Sequence, residues 1–252
     1  PETLDKIKIL YHQLQVPTIV QNIIQRQDHD SNRLIEETKG YFKWTPSESS
    51  FITVNPAYTK ASKIIHALNF KQIPTLKNQN YGIGLITWFV HPEIKNLVNS
   101  NNKSPIKLYN SSIASLEKKG EKYLVSILDL DFSDLAFLKE LKIFSLAYLK
   151  ENFFVSTKDD NIRLDFHFPY AIETATLHLH VKVNVPSHPL ELSKSFSIDE
   201  IIKYLEAGKT VKRLILDRQQ QQGTFYFSKE SKIILEKISG YSLKEVNNPF
   251  RK

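Results

Sequence analysis

Ten residues, Thr176–Val185 (TLHLHVKVNV), alternate without a break. Leu177, Leu179, Val181, Val183 and Val185 fall on one side, and Thr176, His178, His180, Lys182 and Asn184 on the other. A period of two marks a strand with one buried face. The chain must therefore build a sheet with a core beneath the Leu/Val side. The opposite side carries two imidazoles and an ammonium, each about 6.5–7 Å from the next at strand rise. The preceding stretch repeats the pattern, with Ile162, Leu164, Phe166 and Phe168 alternating with Arg163, Asp165 and His167. Strands adjacent in sequence most simply pair antiparallel. That pairing would put Arg163, Asp165 and His167 on the same face as His178, His180 and Lys182.

The rest of the chain is expected to frame this pair. Residues 1–40 read as helical, broken at Pro17 and stopped by Gly40. Phe51–Val54 reads as a strand or hairpin, Lys60–Phe70 as a short amphipathic helix, and Gln72–Asn80 as a boundary loop. Tyr81–Val90 reads as a buried strand; its Gly-Ile-Gly lacks the third glycine or the Gly-Lys-Ser/Thr ending of a phosphate loop. Asn96–Ser104 reads as loop and Tyr123–Ile127 as a strand. Asp131–Phe154 is the longest helix, with Asp131 or Ser133 as cap and Asp134 favouring the N-terminal dipole. Thr157–Asn161 is a turn and Pro186–Ser195 a loop. Ser197-Ile-Asp-Glu200 is a capping box opening a helix to Leu205, which Gly208 ends. Val211–Asp217 and Thr224–Phe227 read as strands and Lys229–Ile238 as a helix. The expected class is α+β: an antiparallel sheet with one long packed helix, plus an N-terminal α/β segment. Residues 1–78 would be that segment, a lid or dimerisation arm, and 79–252 the main domain.

Composition narrows the chemistry. With no cysteine, disulfides and thiolate metal sites are excluded. No apolar run approaches 18 residues, so no membrane helix is expected, and the first residues lack a basic start followed by an apolar run. The net charge of +7 favours anionic partners, although charge alone is a weak signal. There is no Gly-x-Ser-x-Gly, no Asp-rich Ca²⁺ loop and no Walker sequence. Trp44 and Trp88 could stack on a base, but lone tryptophans belong more often to a core. His12, His29, His66 and His91 have no clustered partners and read as surface or capping residues. Lys209, Lys212 and Arg213 read as a solvated face that could flank the site.

Three uses compete for the polar face. A neutral imidazole whose other nitrogen is held by a hydrogen bond can attack phosphorus, with Lys182 and Arg163 stabilising the phosphoryl oxygens. Alternatively His178 and His180 could hold a metal, with His188 or His167 as third ligand and water as fourth, although Lys182 opposes a dication. The plain alternative is a wet sheet face with polar residues and no chemistry.

The motif HLHV, preceded by a strand ending in His-aromatic-Pro (IRLDFHFP, Ile162–Pro169), resembles the histidine-triad hydrolases and transferases, in particular the scavenger mRNA-decapping enzymes. The helix introduced by SILDLDFSDL and the downstream segments IDEIIKYLE and VKRLILD add to a likeness covering roughly Tyr123–Asp217. The family signature is His-φ-His-φ-His; here it reads His178-Leu-His180-Val-Lys182. The resemblance implies cleavage of a nucleoside polyphosphate or mRNA cap, by hydrolysis or nucleotidyl transfer, through a nucleotidyl-histidine formed by the middle histidine. That histidine is His180 in the preferred register. It is His178 in the rival register Thr176-Leu-His178-Leu-His180-Val. Lys182, His167, Arg163 and Thr176 would contact substrate phosphates. No metal or other cofactor is implied. The implied partners are a nucleotide, a cap-like small molecule or a short capped RNA, with no membrane, and the implied setting is a cytoplasmic homodimer. Lys182 in place of the third histidine leaves a catalytically impaired nucleotide or capped-RNA binder as the alternative, and a His-ligated metal-dependent hydrolase as a third reading. The family's Asp-Leu-Lys-Trp cap-binding stretch has no counterpart, Thr87–Lys95 (TWFVHPEIK) standing in that region.

Overall fold

The alternating stretches do become strands of one sheet. The structure, a computed structural model, describes residues 2–14, 18–25, 35–37, 50–54, 82–90, 96, 98, 124–168, 176–187, 189–222, 233, 236 and 237. Its strands are β1 (Ile35–Glu37), β2 (Ser50–Val54), β3 (Ile83–Phe89), β4 (Ile162–His167), β5 (His178–Val183) and β6 (Ser195–Ser197). They pair antiparallel in the order β1-β2-β3-β5-β4-β6. β5 therefore lies between β3 and β4, with His180 facing Ile86 on one side and Asp165 on the other. The expected antiparallel pairing of β4 with β5 is present.

One face of this sheet is hydrocarbon. Leu85 and Phe89 of β3, Leu179, Val181 and Val183 of β5, and Leu164 and Phe166 of β4 are all buried. The long helix α3 (Leu135–Phe153) covers it, with Phe137 edge-on to Phe89 at 5.3 Å. α1 (Glu2–His12) and α2 (Thr18–Gln25) precede it in the chain. In α3 the buried residues Phe137, Leu138, Leu141, Phe144, Tyr148 and Leu149 recur three and four apart, which is why this segment is a helix rather than a strand. Each fully buried Leu contributes about 2 kcal/mol. A 3₁₀ turn at Phe132–Asp134, boxed by Asp131 and Asp134, leads into α3. Phe154 ends it in the left-handed region.

α4 (Pro189–Lys194) and β6 follow β5, then α5 (Ile198–Glu206), opened by the Ser197/Glu200 capping box. Gly208, at φ +69, turns the chain into α6 (Val211–Gln222). No helix among the described residues is long and apolar enough to cross a membrane.

Several expectations are corrected. Val211–Asp217 is helical, because Val211, Leu214 and Ile215 bury one helical stripe and Thr210 Oγ1 accepts from Arg213 N–H. Tyr123–Ile127 does not form the expected strand in its described part. Ser126 and Asp129 instead fold Ile127–Asp129 into a capped 3₁₀ turn, and Asp129 accepts from Val125 N–H and Ser126 N–H. The Pro186–Ser195 loop contains α4, and Asn96 and Val98, in the expected Asn96–Ser104 loop, are helical. Ile35, expected in a helix, lies in β1. The helix Lys60–Phe70, the loop Gln72–Asn80 and the strand Thr224–Phe227 lie outside the described residues. The boundary expected at residue 78 falls between β2 and β3, which are neighbours in one sheet. Leu4, Ile7, Ile23 and Ile52 share one buried cluster with Leu141 and Val183. The described part of the N-terminal segment thus extends the same sheet and core.

Candidate functional site

The second face of β4 and β5 collects the polar residues. The register sets Arg163 opposite Lys182 and Asp165 opposite His180, with β6 adding Ser197 beside Asp165 and Ser195 beside His167. β3 closes the other flank with Gly84 beside Lys182 and Trp88 beside His178. The face is only partly open to solvent. Lys182 is 2 % exposed and Asp165 8 %, while His167, His178, His180 and Arg163 are half-buried.

The imidazoles meet one another. The His167 and His180 rings stack at 3.7 Å, and His178 meets His180 edge-on at 5.0 Å and His167 at 6.3 Å. Trp88, expected in the core, is buried and also stacks on His178 at 4.6 Å, with its indole N–H donating to Thr53 Oγ1. One nitrogen from each of His167, His178 and His180 lies within 4.8 Å of the others.

His178 is anchored to the backbone. Its Nδ1 is 2.8 Å from the Thr176 carbonyl oxygen, an acceptor only, so Nδ1 carries the proton and Nε2 the lone pair. Burial lowers its pKa to about 4, against the smaller upward pull of that hydrogen bond, so the ring is neutral near pH 7. His167 and His180 are also pushed well below the usual histidine range, by burial first and neighbouring positive charge second. The Nε2 atoms of His167 and His180 are enclosed, and that of His180 makes no hydrogen bond among the described residues.

The cations are close-packed too. Lys182, which a sequence reading treats as a fixed charge, is brought down to about 8 by burial and by the Arg163 guanidinium, despite the opposite pull of Asp165. It therefore titrates near neutrality. Arg163 Nη1 stands 3.8 Å from Asp165 Oδ2, and neither Nη nitrogen makes a hydrogen bond among the described residues. These unpartnered nitrogens are themselves buried, so an outside oxygen would reach them only after neighbouring side chains shift. Burial raises the Asp165 carboxyl, with Arg163 and Lys182 pulling it down. Asp165 was visible as part of the face in the alternation, but nothing in the sequence marked it as a charge partner.

Thr176 stands differently from expectation. Its hydroxyl donates to the Phe89 carbonyl at 2.6 Å and is buried, so its one proton is committed to the fold. Its part in the site is the carbonyl that orients His178. His188, Trp44, His29, His66 and His91 lie outside the described residues. His12, expected at the surface or in a cap, is largely buried and pairs with Asp129 at 2.7 Å. Lys212 pairs with Asp5 and Arg213 with Asp217. A scan against protein-family models finds no match to this chain, and neither does a search of curated proteins.

Proposed function

We propose that the protein cleaves or transfers across a phosphoric anhydride of a nucleoside polyphosphate, the mRNA cap included, through a nucleotidyl-histidine. The observation that carries this reading is the anchored, neutral imidazole of His178 on a buried face with Lys182 and Arg163. In the first step His178 Nε2 forms a bond to the α-phosphorus, and the bond from that phosphorus to the bridging oxygen breaks. The leaving phosphate takes a proton; the proposed donor is Lys182, on the same sheet face and four residues along the strand from His178. Arg163, whose buried Nη nitrogens make no hydrogen bond among the described residues, would have to turn toward the phosphoryl oxygens as substrate enters. Water then attacks the phosphoramidate, or another acceptor takes the nucleotidyl group, and the imidazole is restored.

His178 is favoured here over His180. The fixed tautomer belongs to His178, whereas the His180 Nε2 is enclosed beneath a stacked His167 ring. This corresponds to the rival register of the motif. The antiparallel sheet with one long helix on its apolar face is compatible with the histidine-triad likeness.

The test is incubation with α-labelled nucleoside triphosphate, dinucleoside polyphosphate and cap analogue, followed by acid and base treatment. Label in an acid-labile, base-stable bond, lost on His178→Asn with at least a ~10³-fold drop in rate, supports the proposal. Tight nucleotide binding with no label and no product would instead favour the binder reading that Lys182 keeps open.

A further inference from the structure

The three imidazoles are arranged for a second ligand class. A tetrahedral ion held by nitrogens at ~2.0–2.1 Å needs them roughly 3.3 Å apart. Here one nitrogen of each ring already lies within 4.8 Å of the others, and the stacked His167 and His180 rings would have to turn out of their parallel arrangement to aim both lone pairs at one centre. The backbones need not move, because the β4–β5 ladder fixes the strands that carry them. The Nδ1 bond from His178 to the Thr176 carbonyl is the kind of outer contact that orients a ligating imidazole and leaves Nε2 to the metal. Three nitrogens and no thiolate suit a borderline d-block dication better than Ca²⁺ or Mg²⁺, which want oxygen. Asp165, opposite His180, supplies nearby negative charge, while Lys182 and Arg163 oppose the ion.

We propose that His167, His178 and His180 bind a Zn²⁺-class dication, and that the ion silences phosphoryl chemistry on this face by occupying the Nε2 lone pair of His178. The binding stands on the three-ring geometry alone; the silencing rests on the function proposed above.

The test uses the full chain freed of metal with a chelator and then desalted, titrated with Co²⁺ alone. The expected result is one equivalent bound with the visible band of a tetrahedral nitrogen-ligated Co²⁺, displaced by Zn²⁺. His167→Ala, His178→Ala and His180→Ala should each abolish the band. Lys182→Met should tighten binding about tenfold, since it removes a neighbouring positive charge. Should a histidine variant fail to fold, imidazole resonances of the Co²⁺-loaded wild type provide the reading, with three histidine rings shifted. No band at millimolar Co²⁺, or a band that survives His167→Ala in folded protein, would overturn the site. Nucleotide labelling run in chelator keeps the two ideas separate. Label that forms in chelator and persists with one equivalent of Zn²⁺ bound would overturn the silencing.

Discussion

At the scale of single residues, the site depends on burying groups that would rather be charged. His178 is neutral in the folded chain down to about pH 4, but in the unfolded chain it takes up a proton below its ordinary 6.5. The folded pKa is depressed, so stability is complete above about 6.5 and declines as pH falls toward 4. This one ring accounts for up to about 3 kcal/mol across that window. Thermal unfolding followed against pH, in chelator, should show that acid limb, and His178→Asn should make it shallower. An unchanged limb in the variant would place the acid sensitivity elsewhere. At this scale the sequence was informative, because strict alternation assigns each side chain to a face without any knowledge of the fold. It could not show that Lys182 would titrate near 8 or that the Thr176 hydroxyl would be taken by Phe89. Both depend on what packs around them.

Among the elements, capping separates what was legible from what was not. Ser197 and Glu200 form the expected box, with Ser197 Oγ accepting from Glu200 N–H at 3.1 Å. Arg218 of α6 then pairs with Glu200, donates to the Ser195 carbonyl and lies over the Phe196 ring, tying α6 to the strand beside His167. Asp129 has a larger load: two backbone N–H groups of its own turn, plus His12 from α1. Ser197→Ala should cost about 1 kcal/mol. Asp129→Ala, which leaves buried N–H groups without an acceptor, should cost about 3 kcal/mol. Denaturant unfolding of the two variants in the reverse order would show that the Val125 and Ser126 N–H groups find other acceptors when Asp129 is removed. The strands β3, β4 and β5 were readable because their runs are long or strictly alternating. VKRLILD was not, since seven residues with four apolar positions satisfy both periods. Its helical form is decided by the stripe of Val211, Leu214 and Ile215 and by the Arg213–Asp217 pair one turn apart.

For the whole molecule, the least legible fact is that β3 lies against β5. Nearly ninety residues separate Trp88 from His178, and no local pattern encodes that pairing, yet it puts the indole on the imidazole and completes the flank of the site. It also makes the N-terminal strands part of the same sheet. A fragment beginning at residue 79 would lose the β2 ladder on β3, the Thr53 acceptor of Trp88 and the buried Leu4, Ile7 and Ile23. Such a fragment is expected to be insoluble or to lack a cooperative unfolding transition, as circular dichroism would reveal; a cooperatively folding fragment would show that residues 79–252 form a domain by themselves. The central claim is chemical and belongs to the intact chain: the His178 nitrogen becomes bonded to phosphorus. Its most direct measurement is tandem mass spectrometry of protein quenched in base after mixing with a nucleoside polyphosphate in chelator. A nucleotidyl group on His178 is the predicted result, whereas an adduct on His180 alone, or no adduct despite turnover, would contradict the account.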